Sequence, residues 1–187
     1  MKTASLLTAI CLACASVSVR SEEDTPVPEE IQKLAQSFFA AFTTGDEVAV
    51  SACWHSPEVL GKAKADEAVK EAGSSPTEID VAKETEREVK KQTKNMAVTL
   101  QRVAQMRALV AKHFGDVALL KLVSVEIDTD EDAPLEAPAY DELDIRLLAS
   151  EGTHLKISMD NVVKLEGVWK FKGRIDDDLT IELPDED

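Results

Sequence analysis

The chain has 187 residues, with 21 Lys and Arg against 36 Asp and Glu and a formal net charge of −15. That length suits one domain with a sizeable core, and so acidic a surface disfavours nucleic acid and anionic lipid as partners while favouring solubility. Of the three cysteines, Cys11 and Cys14 lie within the first fifteen residues; once that segment is removed only Cys53 remains, no intrachain disulfide can form, and the fold must rest on its core.

Residues 1–15 carry Lys2 and then an apolar run that closes on the small residues Ala13-Cys14-Ala15. The pattern is that of a secretory signal peptide, too short and too poorly flanked to span a membrane. Cys11 stands three residues before Cys14, where a bacterial lipoprotein signal would have Leu, so lipidation is the weaker reading. The protein is therefore expected to be exported, to the periplasm or the extracellular space, with no membrane insertion after cleavage. Residues 16–28 are polar, acidic and interrupted by Pro26 and Pro28, which predicts a flexible linker.

A single α+β domain is expected over residues 29–176. Ile31, Leu34, Ala35, Phe38, Phe39 and Phe42 recur at helical spacing after Pro28 and predict an amphipathic first helix. Thr43-Thr44-Gly45 ends it and Asp46 caps a short second helix that includes Cys53. Ser56-Pro57-Glu58 opens an alanine-rich third helix running to about Ala72. From Thr77 to His113 the helical pattern is long, charged in its first half (KETEREVKKQTK) and apolar on one stripe in its second. A straight helix of that length exceeds the width of a compact domain. It must either bend near residues 93–95 or project, with its charged half standing in water.

After Gly115 the period changes from helix to strand. Strands are expected from Val117, over Tyr140–Ala149, over Thr153–Leu165 and over Val168–Ile175, with an acidic proline-containing loop at 128–139 and a turn at Glu166-Gly167. Leu155, Ile157 and Met159 alternate with Lys156, Ser158 and Asp160, so one face of an antiparallel sheet is apolar and covered by helices while the other is charged. Residues 177–187 read as an acidic tail in which Leu179, Ile181 and Leu183 hint at an edge strand.

Two stretches, FFAAFTTGDEVAVSACWHSPE at 38–58 and VVKLEGVWKFKGRI at 162–175, together with the order of elements, resemble the nuclear-transport-factor-2-like superfamily. The likeness is to its SnoaL-like (polyketide-cyclase-like) and ketosteroid-isomerase-like branches, as a divergent secreted bacterial member. The resemblance implies a cystatin-like curved antiparallel sheet packed on N-terminal helices around a cone-shaped cavity. Residues 57–114 depart from it as an enlarged helical hairpin. In isomerase-like members a tyrosine seven residues before the glycine of the Gly-Asp turn donates to the developing oxyanion; here that position is Phe38, which has no hydroxyl. No position matches the family's base carboxylate, so isomerase chemistry is disfavoured.

Phe38, Phe42, Trp54, His55 and Trp169 are the candidate pocket residues that this resemblance implies. The blander reading packs Trp54 beneath the sheet edge beside an exposed imidazole. His55, His113 and His154 show no ligand spacing, and Asp128, Asp130, Glu131 and Asp132 lack the glycine and terminal glutamate of a calcium loop; no metal and no cofactor are expected. Glu142 and Asp144 share a strand face, read as the solvent face, with Tyr140 close by. Cys53 reads as a small buried hydrophobe. The leading expectation is a non-catalytic domain that binds a small apolar ligand or a protein partner, with a homodimer among the candidates. The alternatives are a cavity hydrolase or dehydratase using His55, and a helical interaction module formed by residues 77–94.

Overall fold

The computed structural model describes residues 26–71, 81–129, 139–172 and 180–182. The expected signal peptide, most of the linker, most of the acidic loop and most of the tail lie outside the described residues; the loop's expected ends, Asp128 and Ala139, belong to strands. Among the described residues four α-helices come first, α1 (Glu29–Thr44), α2 (Glu47–Ala52), α3 (Pro57–Glu71) and α4 (Val81–Phe114), followed by five strands. These are β1 (Lys121–Thr129), β2 (Ala139–Leu148), β3 (His154–Leu165), β4 (Val168–Phe171) and β5 (Thr180–Glu182). The α+β class and the curled antiparallel sheet packed on helices hold as expected.

Pro28 stands one position outside α1 rather than inside it, and its carbonyl accepts from the amides of Ile31 and Gln32, both at 3.0 Å. Proline has no N–H to leave unpaired there. The helix buries Ile31, Leu34, Ala35, Phe38, Ala41 and Phe42, the stripe that the spacing foretells. It stops at Gly45, whose φ of 72° lets its amide return to the Ala41 carbonyl at 2.9 Å. One residue later the Asp46 carboxylate accepts from the amides of Val48 and Ala49, at 3.0 Å each, and starts α2.

The helix α4 runs unbroken for 34 residues, roughly 51 Å at ~1.5 Å per residue. Its C-terminal half joins the core through Val103, Met106 and Val110. The N-terminal half does not stand free in water, as its composition suggests. It pairs with α3, burying Glu88 and setting Val89 against Gly61. A Cβ on Gly61 would lie 2.6 Å from Val89 Cγ2 and 3.1 Å from the Val89 amide nitrogen, so the hairpin's close approach depends on a missing side chain. Glu86, Arg87, Lys90 and Lys91 keep the opposite side polar, linked by helical ion pairs such as Lys90 to Glu86 at 2.8 Å.

The strands β1-β2-β3-β4 form an antiparallel path, and β5 pairs with the start of β3. A strand therefore occupies part of the segment read as tail. The segment Val117–Leu119, expected to be extended, is instead a 3-10 turn whose start is capped by Asp116, with β1 beginning at Lys121. Leu155, Ile157 and Met159 face the core, but so does Val162. This change of parity falls at Asn161, whose φ is 57°; asparagine tolerates that left-handed conformation, and the strand curls there. At Glu166 and Gly167, φ values of 51° and 79° close a two-residue hairpin between paired Leu165 and Val168.

Gly61→Val drives a branched side chain into the short, stiff Val89 side chain and the backbone just behind it, at Val89 N and Thr85 O. It is expected to cost ~1–3 kcal/mol, read by chemical denaturation, and to expose the α3–α4 hairpin to limited proteolysis before the sheet.

Candidate functional site: the aromatic centre and the polar sheet face

The corner at residues 38–58 meets the last hairpin at four rings. Phe38 lies 6.0 Å from Phe42, 5.8 Å from Trp54 and 6.0 Å from Phe171 between ring centroids, the last two edge-on. Trp54 and Phe171 are 4.8 Å apart. Phe38, Phe42 and Phe171 have no exposed surface and Trp54 keeps 3%, so these rings are packed against one another. Edge-to-face pairs of this kind add ~0.5–1.5 kcal/mol each beyond burial. Of the aromatic candidates, Phe38, Phe42 and Trp54 are thus core residues.

Backbone bonds fasten the same corner to β4. The Phe171 amide donates to Cys53 O and the His55 amide donates to Phe171 O, both at 3.0 Å. The His55 ring is buried at 3% exposure, not exposed as the blander reading had it. Its Nε2 lies 3.1 Å from Val163 O, and because a carbonyl only accepts, the neutral ring carries its proton on Nε2. Burial lowers its pKa, the bond to Val163 opposes that, and Lys170 lowers it further. Burial also pushes the Cys53 thiol up to about 11, which leaves it protonated and a poor nucleophile at neutral pH.

Trp169 sits apart from these rings. It is half-buried, 5.2 Å from the Tyr140 ring and beneath the Lys164 ammonium at 5.8 Å. With Glu30, Lys33 and Lys170 it lines a wide surface hollow of about 410 Å³. The five candidates therefore divide into a closed cluster of Phe38, Phe42 and Trp54, a backbone-bonded His55 at its edge, and a surface Trp169.

Strand register assembles a second constellation on the sheet face away from the core. Ser124 pairs with Arg146, and Arg146 with Lys156, in one row; Glu126, Asp144 and Ser158 form the next, and Asp128, Glu142 and Asp160 the third. Arg146 Nε donates to Glu126 at 2.9 Å, while Lys156 Nζ and Ser158 Oγ donate to Asp144 at 2.9 and 2.5 Å. The Asp144 hydrogen bond and charge hold the Lys156 ammonium above its usual pKa against the effect of burial. For Glu142 the Ser158 hydrogen bond favours ionisation, but burial and the adjacent Asp144 carboxylate outweigh it and raise the pKa. A hollow of about 120 Å³ opens here between Glu126, Asp128, Glu142, Asp144 and Lys156. The sequence marks Glu142 and Asp144 as sharing this face. Strand alternation also puts Lys156 and Ser158 on the charged face, but only the register joins them with Glu126 and Arg146 to Glu142 and Asp144.

Among the described residues, no group of three or more His, Cys, Asp or Glu side chains is arranged to hold a metal ion, and no helix is long and apolar enough to cross a membrane. The molecule is an α+β protein whose curled antiparallel sheet has one face closed by helices and one face polar. The sequence matches no protein-family model and no curated protein. Among solved structures the chain is similar to a cystatin-like protein from Ruminococcus gnavus, at 14% identity and a TM-score of 0.48. The match covers 84% of this chain and 45% of the other, so the chain spans under half that protein's length.

Phe38→Tyr supplies the hydroxyl that isomerase-like members carry, but buries it among rings. It is expected to destabilise the fold by ~1–3 kcal/mol, measured by urea denaturation, and to create no isomerase activity. A second test concerns pH. Since the folded pKa of His55 is lowered, the unfolded chain binds its proton first; stability is complete above the unfolded value of about 6.5 and falls as pH drops below it. Melting temperatures from pH 8 to pH 5 should decline accordingly, and His55→Gln should flatten the slope.

Proposed function

We propose that this chain is an exported, divergent member of the nuclear-transport-factor-2-like superfamily that works by binding rather than by catalysis, and that it engages a protein partner presenting basic side chains. The observation that carries this reading is the outer face of β1–β3, where Asp128, Glu142 and Asp160 stand in one row beside Glu126 and Asp144. The cations Arg146 and Lys156 lie at the other end, already bonded to Glu126 and Asp144. A sheet face rich in carboxylates, on a chain of net charge −15, suits electrostatic steering of a basic partner.

Two features favour a surface partner over a small apolar ligand or a reaction in the centre. The rings of Phe38, Phe42 and Trp54 fill that centre, and His55 is buried at its edge with one ring nitrogen bonded to Val163 O. The interaction module read at residues 77–94 begins outside the described residues, and its remaining part is packed along one side against α3.

The test is binding of a lysine-rich probe peptide at low and moderate salt. Neutralising the row as Asp128→Asn, Glu142→Gln and Asp160→Asn is expected to weaken binding by about tenfold, the scale of one or two lost charge contacts. A control with the same loss of charge on the hairpin, Asp66→Asn, Glu67→Gln and Glu86→Gln, should change it by less than about twofold. Equal losses in both variants would show that net charge alone draws the peptide, and would remove the sheet face as the site. Burial and the adjacent Asp144 carboxylate disfavour the charge on Glu142, so removing that charge with the amide should not weaken the fold.

A further inference from the structure

A separate hollow of about 160 Å³ lies between α2 and α4, away from the polar sheet face. Val50, Leu100, Val103 and Ala104 give it apolar walls, and Arg107 and Glu47 supply its polar groups. Its volume is close to the ~150 Å³ at which an engineered apolar cavity holds a benzene molecule.

Arg107 is the informative residue. Its Nε donates to Phe42 O at 3.0 Å and its Nη2 to Thr43 O at 3.2 Å, so the guanidinium closes the C-terminal end of α1. The contact is close because Gly45 has no side chain; a Cβ there would lie 3.0 Å from the guanidinium carbon. Among the described residues Arg107 forms no ion pair, although carboxylates far outnumber cations in the chain. The two carbonyls use only part of the donor set of a guanidinium. What remains is a half-buried cation with a fixed orientation beside an apolar hollow. A preorganised guanidinium loses little entropy on pairing with a carboxylate.

We propose that this hollow binds a small monocarboxylate with a compact apolar body, of about the size of benzoate, with the carboxylate on Arg107 and the body against Val50, Leu100 and Val103. Glu47, exposed at the rim, repels the anion and directs its charged end toward Arg107. The site is independent of the sheet face, and its occupancy does not rest on the basic-partner reading.

Isothermal titration calorimetry of the full chain with benzoate, and with benzamide as the uncharged analogue, tests the inference. Benzoate should bind saturably and benzamide at least about tenfold more weakly, the scale of a lost charged hydrogen bond. Ala104→Trp, on the exposed side of α4, should fill the hollow and abolish binding without disturbing the α1 cap. Glu47→Gln should tighten binding about two- to threefold. Arg107→Gln should lose at least about tenfold, with circular dichroism used to confirm that α1 survives the loss of its cap. No saturable benzoate binding, equal affinity for benzamide, or binding unaffected by Ala104→Trp would each overturn the assignment.

Discussion

Phe171 is held at the same time by rings and by backbone. Its side chain packs against Phe38 and Trp54, its amide donates to Cys53, and its carbonyl accepts from His55. These contacts tie the helical corner that begins at α1 to the last hairpin of the sheet, more than a hundred residues away in sequence. The long loop this closes costs entropy on folding, and the offset comes from burial of rings worth ~1.5–3 kcal/mol each. Because the tie runs through the centre of the curl, the space inside the sheet is occupied by side chains. A fold of this shape could have kept a ligand there; this sequence has used the space for cohesion.

The charged side chains lie outside that core. Charged groups inside such a core would carry a desolvation cost of several kcal/mol, so the alternating residues of β1–β3 place them on the outer face. Register then decides which charges meet. Arg146 and Lys156 fall beside Glu126 and Asp144, whereas Asp128, Glu142 and Asp160 fall beside one another. The carboxylates gather toward one end of the face, and there the Ser158 hydrogen bond to Glu142 is outweighed by burial and by the adjacent Asp144 carboxylate, which raise its pKa.

The α3–α4 hairpin follows a different logic. Its helices carry few large apolar residues, and Leu60 and Ala65 are buried on α3 without joining the main core cluster. Close packing takes the place of bulk, with Gly61 letting α3 approach the backbone at Thr85 and Val89. Long charged side chains on the remaining surface keep the helix soluble and add only a few tenths of a kcal/mol per pair. Toward its other end α4 supplies Arg107, which closes α1 and at the same time sets a fixed cation beside the apolar walls.

Local signals in the chain were sufficient for the helices, their caps and the strand alternation. Glycine at 45 and aspartate at 46 act through bonds within five residues, and the stripe from Ile31 to Phe42 needs only the helical period, so neither requires knowledge of the rest of the fold. Asn161 lay at the limit of that legibility, since asparagine permits a left-handed turn without demanding one. The site was beyond it. Whether Phe38 lines a pocket or fills it depends on Phe171, whether His55 is a base or a structural donor depends on Val163, and whether Arg107 serves α4 or α1 depends on how the two helices cross. Each is a contact between residues far apart in sequence, made only when the sheet has curled and the helices have docked. The sequence by itself determined which residues are apolar, charged or able to turn; the tertiary structure alone decided which of them meet, because pairing across the sheet and packing across the core have no local signature.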